Sequence, residues 1–262
     1  MFVSIEGVVN ARDFGGKPGA GGRTVRRGRL LRTAHLAEVT DAGRETLQAL
    51  EVATVVDLRR TVERTLQPNR LEGLPINVIQ SDLSERADDG AALPPHMQYL
   101  LEAELTPQAT HAWMMNSYAE FPWYPQHQET FAGAFHALAR SGGALVVHCA
   151  AGKDRTGILC GLILHALGVD DGTIEHDYLL TNQQPGFDQR TREFAERFEE
   201  RLGRRIAHEA LAPMVGVHAD FLQAAWSAIE ARHGSRMAYL DSLGIDDAMI
   251  GTIQARLLEP RP

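Results

Sequence analysis

The sequence has 262 residues, 44% hydrophobic and 23% charged, with a formal net charge of −8 and a pI near 5.8. This is ordinary globular composition, long enough for one sizeable domain spanning 1–262, and no run of about 18 apolar residues offers a membrane span. An acidic chain lacks the basic field that sequence-independent nucleic-acid binding needs, so no nucleic-acid partner is expected and any phosphate must be held by a local positive site.

The N-terminus, Met1-Phe2-Val3-Ser4-Ile5-Glu6, has no basic segment followed by an apolar stretch, and it reads as that of a cytoplasmic chain. Export without a signal would leave no mark there. Two cysteines, Cys149 and Cys160, are too few for a disulfide framework. With no CxxC or HExxH spacing, neither a metal nor a cofactor is expected.

Short apolar or β-branched runs bounded by turns predict strands over Gly28–Arg32, Val52–Leu58, Ile76–Gln80 and Ala144–His148. Helical periodicity predicts helices over Asp41–Leu50, Thr110–Glu120, Gln126–Arg140 and Arg155–Leu167, and repeatedly beyond Asp170. Strands alternate with helices until the chain turns helical in its last third. That order implies an α/β fold with a central, mostly parallel sheet flanked by helices. Asp88-Asp89-Gly90 and Pro94-Pro95 make Ser84–Pro107 a loose excursion.

The chemistry concentrates after the strand Ala144–His148. Cys149-Ala150-Ala151-Gly152-Lys153-Asp154-Arg155-Thr156-Gly157 leads into the apolar run Ile158–Leu167. Small residues at 150, 151 and 152 let the backbone curl so that successive N–H groups face one anion, and the following helix adds its positive end. In that field Cys149 favours its thiolate. Arg155 can grip two phosphate oxygens with its planar fork, and Thr156 can donate to the sulfur when sulfur leaves. The phosphate-binding set is therefore Ala150, Ala151, Gly152, Lys153, Asp154, Arg155 and Thr156. Of 26 basic residues only Lys17 and Lys153 are lysines, and the one in the loop could contact a second phosphate.

Elsewhere, Arg59 and Glu63 have the spacing of a helical ion pair. Arg12 and Asp13 read as structural, His148 as a residue that orders the loop, and Cys160 as core. Phe194, Phe198 and Leu202 form a narrow apolar stripe on a charged helix.

His148–Gly157 resembles the HCxxGKDRTG signature of atypical bacterial tyrosine and dual-specificity phosphatases. Asn10–Gly16 is similar to that family's NxRDxGG segment, Asp57-Leu58-Arg59 with Glu63 to its DLRxxxE element, and Asp177–Asn182 to its DYLxxN helix. The resemblance implies a protein tyrosine phosphatase-like fold and a two-step reaction through a phosphocysteine on Cys149. Its substrates would be phosphorylated proteins or phosphoinositides. It also implies a general acid, either Asp154, like the family's loop aspartate, or Asp82, which aligns with another. Phe121-Pro122-Trp123 lacks the aspartate of the mobile acid loop of large eukaryotic enzymes. The region about 184–216 would correspond to a helical lid. Rival readings are rhodanese- or arsenate-reductase-like chemistry on the same cysteine, and a non-catalytic phosphate binder.

Overall fold

The computed structural model describes residues 1–83, 95–102, 105–140, 142–203 and 207–260. Among these, a five-stranded sheet runs in the order β1 (Arg12–Asp13), β3 (Leu30–Thr33), β6 (Ala144–His148), β4 (Val52–Asp57) and β5 (Asn77–Ile79). β3, β6, β4 and β5 are parallel, and only the edge strand β1 runs antiparallel. A second, two-stranded sheet pairs β2 (Thr24–Val25) with β7 (Leu258–Glu259) and was not legible in the sequence. Two-residue strands carry no periodicity to detect.

The sheet is buried on both faces, so β6 is apolar throughout yet still sorts its side chains with period two. Leu145 and Val147 enter the larger core, whereas Ala144 and Val146 enter a smaller one with Leu47 of α1 (Asp41–Ala49). In β4 a register shift between Val52 and Thr54 puts Val52 and Val55, three apart, in the smaller core.

The larger core is covered by α4 (Pro107–Glu120), α5 (Pro125–Arg140) and α6 (Asp154–Ala166). Every residue of α6 from Thr156 to Leu164 is buried, which explains its lack of a polar face. Its Ile158, Leu159, Leu162 and Ile163 each contribute roughly 1.5–3 kcal/mol by burial. The helical last third comprises α7 (Asp171–Leu179), α8 (Phe187–Leu202), α9 (His208–Val215), α10 (Ala219–His233), α11 (Arg236–Ser242) and α12 (Asp247–Leu257). Among the described residues no helix is long and apolar enough to cross a membrane.

Part of the excursion expected at Ser84–Pro107 is ordered as α3 (Pro95–Glu102), with Leu100 fully buried and Tyr99 stacked on Trp113 at 4.9 Å. A proline in the first turn opens a helix rather than breaking one. Residues 84–94 and 103–104 of that expectation lie outside the described residues.

Candidate active site

Cys149 follows β6, the middle strand of the sheet, at its C-terminal end, and it is buried. Ligand sites of parallel sheets gather at that end. The chain reaches α6 through five residues whose carbonyls are held from outside. His35 N–H donates to Ala150 O at 3.1 Å. Asn10 Nδ2 donates to Ala151 O (3.2 Å) and Gly152 O (2.9 Å), and Arg32 Nη2 to Gly152 O (3.1 Å) and Lys153 O (3.3 Å). In a planar trans peptide the next N–H points opposite to each carbonyl. The N–H groups of residues 151 to 154 are thereby turned away from those partners. No side chain caps the N-terminus of α6, whose first N–H groups are also left for an anion.

Gly152 is required at its position. It has φ +67°, and a Cβ there would stand 2.1 Å from Thr33 O. Beneath the loop, Asn69 Nδ2 approaches His148 Nε2 at 3.2 Å, and His148 Nδ1 lies 3.1 Å from Cys149 O. Burial holds the His148 imidazole below its ordinary pKa despite Asp57. A neutral ring donating from Nδ1 and accepting at Nε2 satisfies both contacts. His148 therefore braces the loop.

Arg155 is oriented by a residue the sequence reading paired elsewhere. Its Nη1 donates to Glu63 Oε2 (2.7 Å) and Leu58 O (3.0 Å), and its Nη2 to Glu63 Oε1 (2.9 Å). Burial would raise the Glu63 carboxyl, but Arg155 outweighs it and carries the pKa down to about 2. The Nε–H and one Nη2 hydrogen remain without partners among the described residues. They form one edge that suits two phosphate oxygens. The expected Arg59–Glu63 pair does not form. Arg59 instead closes a fork on Asp57, Nε to Oδ1 at 2.9 Å and Nη2 to Oδ2 at 2.7 Å, because both groups are buried at the same strand end.

Asp154 accepts from Tyr118 OH at 2.6 Å, and Tyr118 OH lies 2.6 Å from Tyr178 OH. Burial, reinforced by Asp154, holds both phenols well above their ordinary pKa, so both stay protonated. Tyr118 has one hydrogen and gives it to Asp154, which makes Tyr178 the donor between the phenols. Asp82 is placed differently: its side chain is 91% exposed, 3.7 Å from Arg64.

Lys153, expected to be able to contact a second phosphate, is turned elsewhere. Its side chain is buried, and the ammonium donates to Met214 O and to Gly216 O (3.0 Å), with Asp154 Oδ1 at 3.4 Å. The terminal carbonyls of α9 outcompete solvent for it. Asn182 pinches the next residue, donating to Val217 O (2.8 Å) and accepting from Val217 N (2.9 Å). Ala210, Leu211 and Met214 are buried, so α9 is no ordinary surface helix. Phe194 and Phe198 of the expected stripe lie 4.4 Å apart, and residues 204–206 of the expected lid lie outside the described residues. Thr156 is buried, and its hydroxyl has no partner among the described residues, the Cys149 sulfur included.

Arg12 and Asp13 are structural, as read. Arg12 donates to Asp177 O and Thr181, and Asp13 accepts from Gly15 N and Gly28 N. Burial pushes the Cys160 thiol up to about 12, which leaves it a protonated core residue.

Residues 3–259 match the profile of the tyrosine phosphatase family. The chain belongs to the tyrosine phosphatase family. This phosphatase is 35% identical over 250 residues to a Cupriavidus necator protein assigned by inference to the tyrosine-protein phosphatases, covering 95% of this chain and 86% of that one. It is 30% identical over 277 residues to the triple specificity protein phosphatase PtpB of Mycobacterium tuberculosis, covering 97% and 98%. A tyrosine-protein phosphatase of Nostoc commune is 28% identical over 87% of this chain and 74% of its own. The phosphatase thus carries the hydrolysis of phosphomonoesters as its family activity, on a fold of the expected class. Sequence reasoning missed the loop-holding roles of Asn10 and Arg32, the Glu63–Arg155 pair, and Tyr118. Asn10 and the Glu63–Arg155 pair lay inside segments already singled out by resemblance, and Arg32 at the end of a predicted strand; Tyr118 had no signal.

Proposed function

We propose that this phosphatase hydrolyses phosphotyrosine in proteins through a phosphocysteine on Cys149, as one domain with a single site. The observation that carries this reading is the outward anchoring of the carbonyls of residues 150–153, which leaves N–H groups and the open edge of Arg155 for one phosphoryl group. The Cys149 thiolate attacks phosphorus and the ester oxygen departs with a proton from Asp154. Water then attacks the phosphocysteine, Asp154 recovers a proton from that water, and the thiolate leaves. The uncommitted Thr156 hydroxyl is available to the departing sulfur. Donors fixed before the reaction stabilise charge in both steps without reorganising.

Asp154 is the better acid because Tyr118 orients its carboxyl, whereas Asp82 is solvated and turned to Arg64. Asp154→Asn should slow alkyl phosphates by about 10²–10⁴-fold, and p-nitrophenyl phosphate, whose leaving group needs little help, far less. Asp82→Asn should leave both unchanged. Equal losses on the two substrates for Asp154→Asn, or a selective loss for Asp82→Asn, would reverse the assignment.

Phosphoserine, phosphothreonine and phosphoinositides belong to the proposed range, supported by the triple specificity of the mycobacterial relative. Lys153 reaches a second phosphate only by giving up Met214 O and Gly216 O. For Lys153→Ala we therefore expect phosphotyrosine and phosphoinositide turnover to fall together as the end of α9 loosens. A selective loss of lipid turnover would give the ammonium a substrate role instead.

A further inference from the structure

Away from the sulfur chemistry, α4 and the start of α10 bring His111 together with His218 and Asp220, which lie more than 100 positions further along the chain. His111 sits in the second turn of α4, His218 is the N-cap of α10, and Asp220 lies in the first turn of α10. One ligand atom of each lies within 4.8 Å of the others, the only such trio of His, Cys, Asp or Glu among the described residues. His111 Nε2 is 2.8 Å from Asp220 Oδ2, and the two imidazoles meet edge to face at 5.4 Å and 75°. An ion pair accounts for His111 and Asp220 but leaves the His218 imidazole beside them with no hydrogen-bond partner among the described residues.

We propose that His111, His218 and Asp220 bind one divalent late transition metal ion, with zinc the best match. Two imidazoles and a carboxylate are the donor set that zinc shares with its neighbours in the series, whereas magnesium and calcium prefer oxygen alone. In a tetrahedral site, ligand atoms about 2.0–2.2 Å from the ion stand roughly 3.3 Å apart. The trio must close by about 1.5 Å at most, which side-chain rotation supplies. The framework is already rigid. Phe221, fully buried, packs against both rings, at 4.9 Å from His111 and 5.1 Å from His218. The side chains are partly open to solvent, which leaves the fourth position for water. A bound ion would tie α4 to the turn that runs from Gly216, the partner of Lys153, into α10.

The test is calorimetric titration of zinc alone into the metal-stripped full chain carrying Cys149→Ser, so that the loop thiol cannot compete as a ligand. One ion per chain should bind, with no heat from magnesium. Affinity should fall by more than about tenfold with His218→Ala, and likewise with His111→Phe, which keeps a ring on Phe221 while removing the nitrogen donor. Zinc should raise the thermal midpoint of the Cys149→Ser protein and not that of either double variant. Absence of one-to-one binding overturns the proposal, and so does parental affinity or a parental midpoint rise in both double variants.

Discussion

Cys149→Ser should abolish turnover, lowering kcat on p-nitrophenyl phosphate by at least about 10⁴-fold while leaving the unfolding midpoint and phosphate binding in place. Effects of that size follow when the single nucleophile of a covalent pathway is removed, because the rest of the machinery then has nothing to act through. A serine hydroxyl is not ionised near neutral pH, and neither the loop nor Arg155 can make it so. The fold is spared because the side chains are nearly the same size at a site that is 1% exposed. The carbonyl anchors of the loop, Asn10, Arg32 and His35, do not touch the sulfur. Residual activity within tenfold of the parent would remove Cys149 from the mechanism, and loss of phosphate binding would mean that the loop itself had collapsed.

Arg155→Lys should cost about 10²–10³-fold in kcat and also destabilise the protein. Lysine offers a point charge in place of a fork, so it cannot hold Glu63 with two bonds and present a second two-donor edge to phosphate. Glu63→Gln keeps the arginine but frees it, and should lower kcat by a smaller factor, about tenfold, with little change in the pH of optimum activity. The pair also sets a dependence of stability on pH. The Glu63 carboxyl falls from an ordinary value of 4.5 to about 2 in the fold, with Arg155 outweighing burial. A depressed carboxyl stabilises above its unfolded pKa and loses that contribution as pH falls through its folded one. On the order of 3 kcal/mol should therefore disappear between about pH 4.5 and pH 2. Urea unfolding at pH 6 and pH 2.5 measures it: the difference should shrink in Glu63→Gln, and an identical difference in parent and variant would detach Glu63 from Arg155.

The loop proposed to react was readable in the sequence because its residues are contiguous and each has a chemical reason for its proposed place. The parallel core was readable too, since strand and helix periods alternate plainly up to Leu167. What stayed hidden depends on contacts between distant positions. Arg59 and Glu63 have ideal local spacing, yet burial sends Arg59 back to Asp57 and hands Glu63 to Arg155, 92 residues away. Lys153 looked available to a second phosphate because the two carbonyls that hold it are 61 and 63 positions further on. The cluster of His111, His218 and Asp220 is invisible for the same reason. The helix at Pro95–Glu102 was lost to a local rule applied with the wrong sense, proline as breaker instead of first-turn residue.

The anchoring of the loop from the N-terminal side has a consequence for how the enzyme comes into being. Asn10 and Arg32 leave the ribosome early, but the carbonyls they hold follow 142 and 120 residues later. The strand at Thr24–Val25, which lies between them, finds its partner only at Leu258–Glu259. Until residue 149 is made, the polypeptide therefore carries the loop's restraints without the loop, and then the loop before the separate pair of β2 and β7 can form. Contacts of such long sequence separation form late. The proposed nucleophile should thus lack a finished cradle until its loop has met Asn10 and Arg32.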